Sequence, residues 1–250
     1  MAFYTYDGSF EGFLTCVHAH YYKEKAEGIS SWENYRETLL GMPVPVQTDS
    51  EKAEKVYKAI ETKISKVVMR QIYYAFCSSL PDKEMDILQY LVLAFPLGSR
   101  ISLCHANPVV KKVEAAQYKV SREVEKMLGL VRFSILEGNV LYAKIEPDHD
   151  IIEFLADHFS RRLNNEVYIL HDAGRGKAVL SQNGNWVIST IEPQELERIL
   201  NYSKEEKDIR DLWKKYFETI AIKERTNPRC QRNFMPQRYW KNLTEMNSSC

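Results

Sequence analysis

Residues 130–145 read LVRFSILEGNVLYAKI, and residues 166–190 read EVYILHDAGRGKAVLSQNGNWVIST. These two runs, with the segment between them, decide the fold. Val131, Phe133 and Ile135 alternate with Arg132, Ser134 and Leu136, which is the period of a strand. Glu137-Gly138-Asn139 turns the chain, and Leu141, Ala143 and Ile145 resume the alternation. Pro147 ends that strand because proline has no N–H for a ladder. From Ile151 to Leu163 the period becomes helical, with Ile151, Ile152, Leu155, Phe159 and Leu163 on one face. Val167 to Leu170 is a strand again. Ala173-Gly174-Arg175-Gly176 and Asn183-Gly184 are hairpin turns on either side of Lys177 to Ser181, and Trp186 to Thr190 closes the unit.

Working outward, a helical block precedes this unit over about residues 48–129. Thr48-x-x-Glu51 has the form of a capping box in front of Ala53, Val56, Ile60 and Ile64. Ser65 to Ser78 and a segment starting at Pro81-Asp82 continue in helical spacing. Asn107-Pro108 opens a fourth helix with the stripe Val109, Val113, Ala116, Val120, Val124 and Met127, and Gly129 marks its end. Earlier still, Ala2 to Tyr6 suits an extra strand on the central sheet. Asp7-Gly8-Ser9 caps a helix, and Glu27 to Gln47 reads as a connector that packs down through Trp32, Tyr35, Leu39 and Leu40. After the sheet come a short helix over Pro193 to Asn201 and a capping box at Ser203-x-x-Glu206. A long amphipathic helix follows, carrying Ile209, Leu212, Trp213, Tyr216, Phe217 and Ile220. The expected architecture is one compact α+β domain over residues 1–250. Its antiparallel sheet, a hairpin-helix-hairpin unit over about 130–190 plus the N-terminal strand, packs with the helical block. A C-terminal helix and basic tail occupy about 193–246.

Composition narrows the function classes. Lys and Arg total 34, as do Asp and Glu, so a basic site must be a local patch. Five cysteines without a C-x-x-C pair read as reduced thiols of a cytoplasmic protein. No apolar run approaches the ~18 residues of a membrane span, and Met1 to Phe10 lacks the pattern of a secretory signal. Cys16 and His20 share a helix face while His18 points away, too few ligands for zinc. No metal or cofactor is expected.

Three segments invite chemistry. Gly174-Arg175-Gly176-Lys177 lacks the Ser or Thr and the following helix of a phosphate loop, so it reads as a hairpin tip. His171-Asp172 looks like a metal dyad of helical phosphohydrolases, but adjacent strand residues point to opposite faces. A hydrogen-bonding role is the plainer reading, with His171, Asp172 and Arg175 kept as catalytic candidates. In the tail, six basic residues stand against two acidic between Ala221 and Met246. Arg225, Asn227, Arg229, Arg232, Arg238, Tyr239, Trp240 and Lys241 suit nucleic acid, arginines for phosphate and aromatics for bases. The alternative is a tail that wraps the body with Phe234, Met235 and Trp240 buried, and composition favours it. If the tail folds back, Arg225, Asn227, Arg232 and Arg238 should lie near the His171–Arg175 hairpin.

Ordered blocks across the chain resemble a bacterial family labelled probable DNA metabolism protein, domain of unknown function 4130. They are Tyr6 to Leu14, Ile145 to His149, His158-Phe159 with Arg161-Arg162, Ile169 to Asp172, Arg175 to Ala178, Leu212 to Phe217, Ala221 to Pro228 and, most distinctive, Phe234 to Lys241. The resemblance implies an accessory of DNA metabolism and repair, working with a radical S-adenosylmethionine (radical SAM) iron–sulfur protein. It also implies relatives joined to uracil-DNA-glycosylase-like domains. An enzyme acting on nucleic acid or a nucleotide through His171, Asp172 and Arg175, and a purely protein-binding adaptor, are the rival readings.

Overall fold

A computed structural model describes residues 2–36, 42–192, 198, 200, 202–203 and 205–246. The chain divides into two compact units, Met1–Ser121 and Arg122–Cys250.

The N-terminal unit begins with β1 (Ala2–Tyr6), α1 (Phe10–Tyr22) and β2 (Ala26–Ser31). Ser9 caps α1 by accepting from the Gly12 amide at 2.9 Å. Since α1 returns the chain across the sheet, β2 lies parallel to β1, and β3 (Val44–Pro45) is parallel to β1 on its other side. The expectation that Ala2 to Tyr6 joins the central sheet is thereby corrected: β1 is the middle strand of a separate three-stranded sheet. Glu27 to Gln47, expected as a connector, supplies both of its neighbours. Leu39 and Leu40 lie outside the described residues. Helices α2 (Ser50–Lys63), α3 (Lys66–Phe76), α4 (Lys83–Leu97) and the start of α5 (Pro108–Leu130) complete this unit. Its core includes Phe13, Val17, Ile60, Ile72, Leu91 and Val113. The expected capping box slips by one residue. Asp49 accepts from the Lys52 amide, while the Thr48 hydroxyl donates to Asp7 at 2.7 Å.

The C-terminal unit is built on a five-stranded sheet in the order β4-β5-β6-β7-β8. Its strands are β4 (Ser134–Leu136), β5 (Val140–Ile145), β6 (Tyr168–Asp172), β7 (Lys177–Gln182) and β8 (Asn185–Thr190), with α6 (Ile152–Arg162) between β5 and β6. The three hairpin pairings are antiparallel as expected, but β5 and β6 run parallel, so the sheet is mixed. A helical crossover imposes this, because the chain re-enters the sheet from the same end. Leu141, Ala143, Ile145, Tyr168, Leu170 and Val179 face α6, and Leu155 and Phe159 of α6 are buried. On the opposite face Leu136, Tyr142, Ile169 and Ala178 cluster. The last turns of α5 bring Val124 and Met127 into burial, continuing the predicted stripe.

Helix α7 (Glu206–Ile220) and short α8 (Pro228–Phe234) follow. The Ser203-x-x-Glu206 box does not form: the Glu206 carboxylate accepts from the Ile135 amide at 2.7 Å instead. Of the predicted helix over Pro193 to Asn201, most residues lie outside the described ones.

Gly12 tests the packing of α1. A Cβ there would sit 2.3 Å from Asp7 Oδ1 and 2.8 Å from Thr48 Oγ1, so the helix approaches too closely for a side chain. Gly12→Ala should lower stability by about 1–3 kcal/mol through overpacking, measured by urea denaturation.

Candidate functional site

A buried carboxylate, Glu123 on α5, organises one corner of the C-terminal unit. It is 5% exposed and accepts from the backbone amides of Asp148 and His149, each at 2.8 Å, and from the Tyr239 hydroxyl. The turn after β5 and the C-terminal tail are thus held by one side chain. Arg238 stacks on the Tyr239 ring at 4.6 Å and pairs with Asp148 at 2.8 Å. Across the same turn, Arg175 donates to the carbonyls of Pro147 and Asp148 at 3.1 and 2.7 Å and pairs with Asp172 at 3.0 Å. Lys177 pairs with Asp150, and Lys241 with Glu146.

The predicted site residues divide accordingly. His171 and Asp172, neighbours on β6, occupy opposite faces. Asp172 is fully buried against Arg175 and the Gly174 amide. Burial pushes its carboxyl above the usual range, with Arg175 acting in the other direction. On the other face His171 Nδ1 lies 2.9 Å from the Tyr142 hydroxyl. Burial, helped by Lys144, holds the imidazole below the ordinary histidine range, with Glu146 opposing. Burial likewise pushes the ionisation of the Tyr142 hydroxyl upward. In the tail, Arg238 reaches the turn that Arg175 holds. Asn227 caps α8 by accepting from the Cys230 amide, and Arg232 bonds the Pro228 carbonyl at 3.1 Å. Among the described residues, Arg225, Asn227 and Arg232 form no hydrogen bond or ion pair with the hairpin, and Arg225 and Arg229 form no ion pair. Tyr239 is buried, while Trp240 donates its indole N–H to the Met235 carbonyl at 2.8 Å. Phe234, expected to be covered if the tail wraps the body, is 71% exposed.

The sequence reading missed a cleft on the His171 face of the sheet. It has a volume of about 550 Å³ and is lined by Arg132, Lys144, Arg210, Lys214 and Lys241, against only two acidic residues, Glu206 and Asp211. Tyr142, Ser134, Tyr202 and Ser203 also line it. Three of the basic groups are bound: Arg132 to Glu245 at 2.6 Å, Arg210 to Glu206 at 2.7 Å and Lys241 to Glu146 at 2.7 Å. Lys144 and Lys214 form no ion pair within 4 Å among the described residues. Tyr202 is 43% exposed, with the Arg210 guanidinium 4.6 Å from its ring. The lining comes from residues 132 to 244, so no local spacing could have announced it. Glu123 did leave a signal, since it sits among Val120, Val124 and Met127 on the buried stripe of α5. No group of three His, Cys, Asp or Glu side chains able to hold a metal occurs among the described residues, and no single helix there is long and apolar enough to cross a membrane.

Two outcomes follow from this geometry. Glu123→Ala leaves two amides and a phenol without their shared acceptor, so it should cost about 3–5 kcal/mol in chemical denaturation. For His171 the folded pKa lies below the unfolded value of about 6.5, so the native state binds fewer protons. Its contribution is present above that value and lost as pH falls through the folded pKa. His171→Gln should therefore flatten the decline of stability on acidification below pH ~6.5, followed by urea midpoints.

No curated protein and no solved structure matches the chain significantly. A family model does match, over residues 81–245, which includes nearly the whole C-terminal unit and every residue of the cleft. With more than half of its length in that match, the chain belongs to the family of the domain of unknown function DUF4130.

Proposed function

We propose that the chain is an accessory protein of DNA metabolism and repair that holds a nucleic-acid strand in the cleft of its C-terminal unit. One observation carries this reading: a chain of zero net charge gathers five basic side chains around one concavity, two of them outside any ion pair among the described residues. Lysine is a point charge on a mobile stem and suits phosphates whose positions vary along a backbone. Tyr202 offers an exposed ring beside these lysines, the combination that sequence-tolerant strand binding uses. The basic residues of the tail support it less well, since Arg238 and Lys241 already neutralise Asp148 and Glu146.

Catalysis by the chain alone is the weaker reading. Asp172 and Arg175 neutralise each other, and His171 is separated from them by the thickness of the sheet. An accessory of this kind needs an enzyme to act on the strand it holds. The family resemblance supports a radical SAM iron–sulfur protein in that role.

The test is binding of fluorescent single- and double-stranded oligonucleotides across a salt series. Affinity should be micromolar or weaker at physiological salt and fall steeply as salt rises. Lys144→Ala with Lys214→Ala should reduce the log–log slope by about 1.5 units on single strands, with an unchanged melting temperature. Arg238→Ala should do the reverse, lowering the melting temperature while keeping the slope. A wild-type protein that binds no oligonucleotide at low salt removes the nucleic-acid reading and leaves the adaptor.

A further inference from the structure

The two edges of the five-stranded sheet are treated differently. At one edge β4 is only three residues long, and its outward groups are occupied. The Ile135 amide donates to Glu206 at 2.7 Å, the Ile135 carbonyl accepts from Ser203 at 3.0 Å, and Leu136 bridges to Tyr202. At the other edge β8 runs for six residues in unbroken register with β7. Exposed edges in natural proteins are blunted by charge, proline or a bulge. From Asn183 to Ile191 this chain has no charged residue and no proline, and the pairing has no bulge. Val187 is 61% exposed and Ile188 38%.

The turn decides which groups face outward. Asn183 and Gly184 both have positive φ, 53° and 73°, and form a two-residue hairpin loop closed by Gln182 and Asn185. In such a hairpin the closing pair exchanges hydrogen bonds, and every second pair after it does the same. The backbones of Asn185, Val187 and Ser189 therefore bond to β7, while the N–H and C=O groups of Trp186 and Ile188 point away from the sheet.

We propose that β8 is a self-association edge, where two copies of the chain pair β8 with β8 antiparallel about a two-fold axis through Val187. An axis perpendicular to the sheet keeps the faces aligned only when residues of the same parity meet. With Val187 at the centre, Trp186 of each copy faces Ile188 of the other. Those are the residues whose backbone groups point outward, so the two pairs exchange four hydrogen bonds. Both are aromatic–β-branched pairs on the α6 side, a favourable cross-strand combination. On the other face Leu180 and Val187 of one copy continue into Val187 and Leu180 of the next, an unbroken apolar row. A shift of the centre to Ile188 would set Val187 against Ser189 and Trp186 against Thr190, losing this match. With no charge along the strand, two copies meet without like-charge repulsion, and a second copy is the occupant that satisfies hydrogen bonds and side chains together.

The proposal is independent of the nucleic-acid reading. Its test is sedimentation equilibrium of the full chain from micromolar to millimolar concentration, which should show a reversible monomer–dimer equilibrium. Ile188→Lys should raise the dimer dissociation constant by at least about tenfold while leaving the monomer's circular dichroism unchanged. Register is read with cysteines, in a background where Cys230 and Cys250 are serine. Val187 faces its own copy in a non-hydrogen-bonded pair with Cα atoms about 4.5 Å apart, so Val187→Cys should form a disulfide-linked dimer under mild oxidation. Ile188→Cys faces Trp186 and should link far less. A chain that stays monomeric throughout, a dimer indifferent to Ile188→Lys, or equal linking by the two cysteine variants would each overturn the proposal.

Discussion

The C-terminal unit depends on one buried charge. Glu123 lies on the inner stripe of α5, where burial of an unpaired carboxylate would be prohibitive. Two consecutive backbone amides in the turn after β5, a tyrosine hydroxyl from the tail and the Arg238 guanidinium 3.8 Å away make it tolerable. Each of these donors comes from a segment with little apolar periodicity of its own. The turn after Pro147 has no hydrophobic stripe, and the segment from Gln237 to Asn242 is a single stretch of 3₁₀ helix. Tyr239 within it and Leu243 just after it are buried, yet their position is set by the carboxylate that Tyr239 must reach. The charge therefore acts as a fixed point on a rigid helix, and it selects one path for chain that packing alone would leave loose.

Arginines extend the same logic elsewhere in the unit. A guanidinium holds several acceptors in one plane. Arg175 gathers two carbonyls and a carboxylate, and Arg132 places two bonds on Glu245, to which Trp213 also donates at 3.0 Å. Burial pushes the Glu245 carboxyl up, but the bonds from Arg132, its own backbone and Trp213 outweigh it and hold it low. These arginines are internal fasteners. In the tail, Arg238 is likewise held by Asp148, so counting it as free surface charge overstates how basic the tail is toward a ligand, and counting the whole chain understates how basic the cleft is.

What the sequence disclosed follows from what is local. Alternation over Leu141, Ala143 and Ile145, the Asn183-Gly184 turn, the α5 stripe and the Ser9 cap are each decided within a few residues, and the structure has them. The parallel pairings were not legible, because which strand lies beside β1 or β5 is decided across a whole intervening helix. β2, with Gly28, Ser30 and Ser31, lacks alternation and β-branched residues apart from Ile29, so it read as a connector. Capping boxes failed where a competing partner was nearer: Thr48 met Asp7, and Glu206 met the Ile135 amide. For the site, the parity of a strand predicted that His171 and Asp172 would part company. The cleft was invisible because Lys144 and Lys214 come from β5 and α7, brought together only when the sheet and the helix have formed.

The floor of that cleft has a chemical direction. Where the neutral His171 ring carries its proton on Nε2, Nδ1 accepts a hydrogen bond from the Tyr142 hydroxyl. What Tyr142 presents to the cleft is then oxygen lone pairs, an acceptor where the rim offers donors. Phosphate oxygens match the rim, Lys144 and Lys214, and are mismatched to the floor. Groups that donate, such as base amino groups or ribose hydroxyls, match the floor. A strand lying in the cleft would thus be oriented with its backbone along the lysines and a base edge or sugar toward Tyr142. Protonating His171 would reverse the hydrogen bond, turn the tyrosine proton outward and make the floor a donor. If the proposed strand binding holds, the burial of His171 would let one concavity distinguish the two sides of a nucleotide.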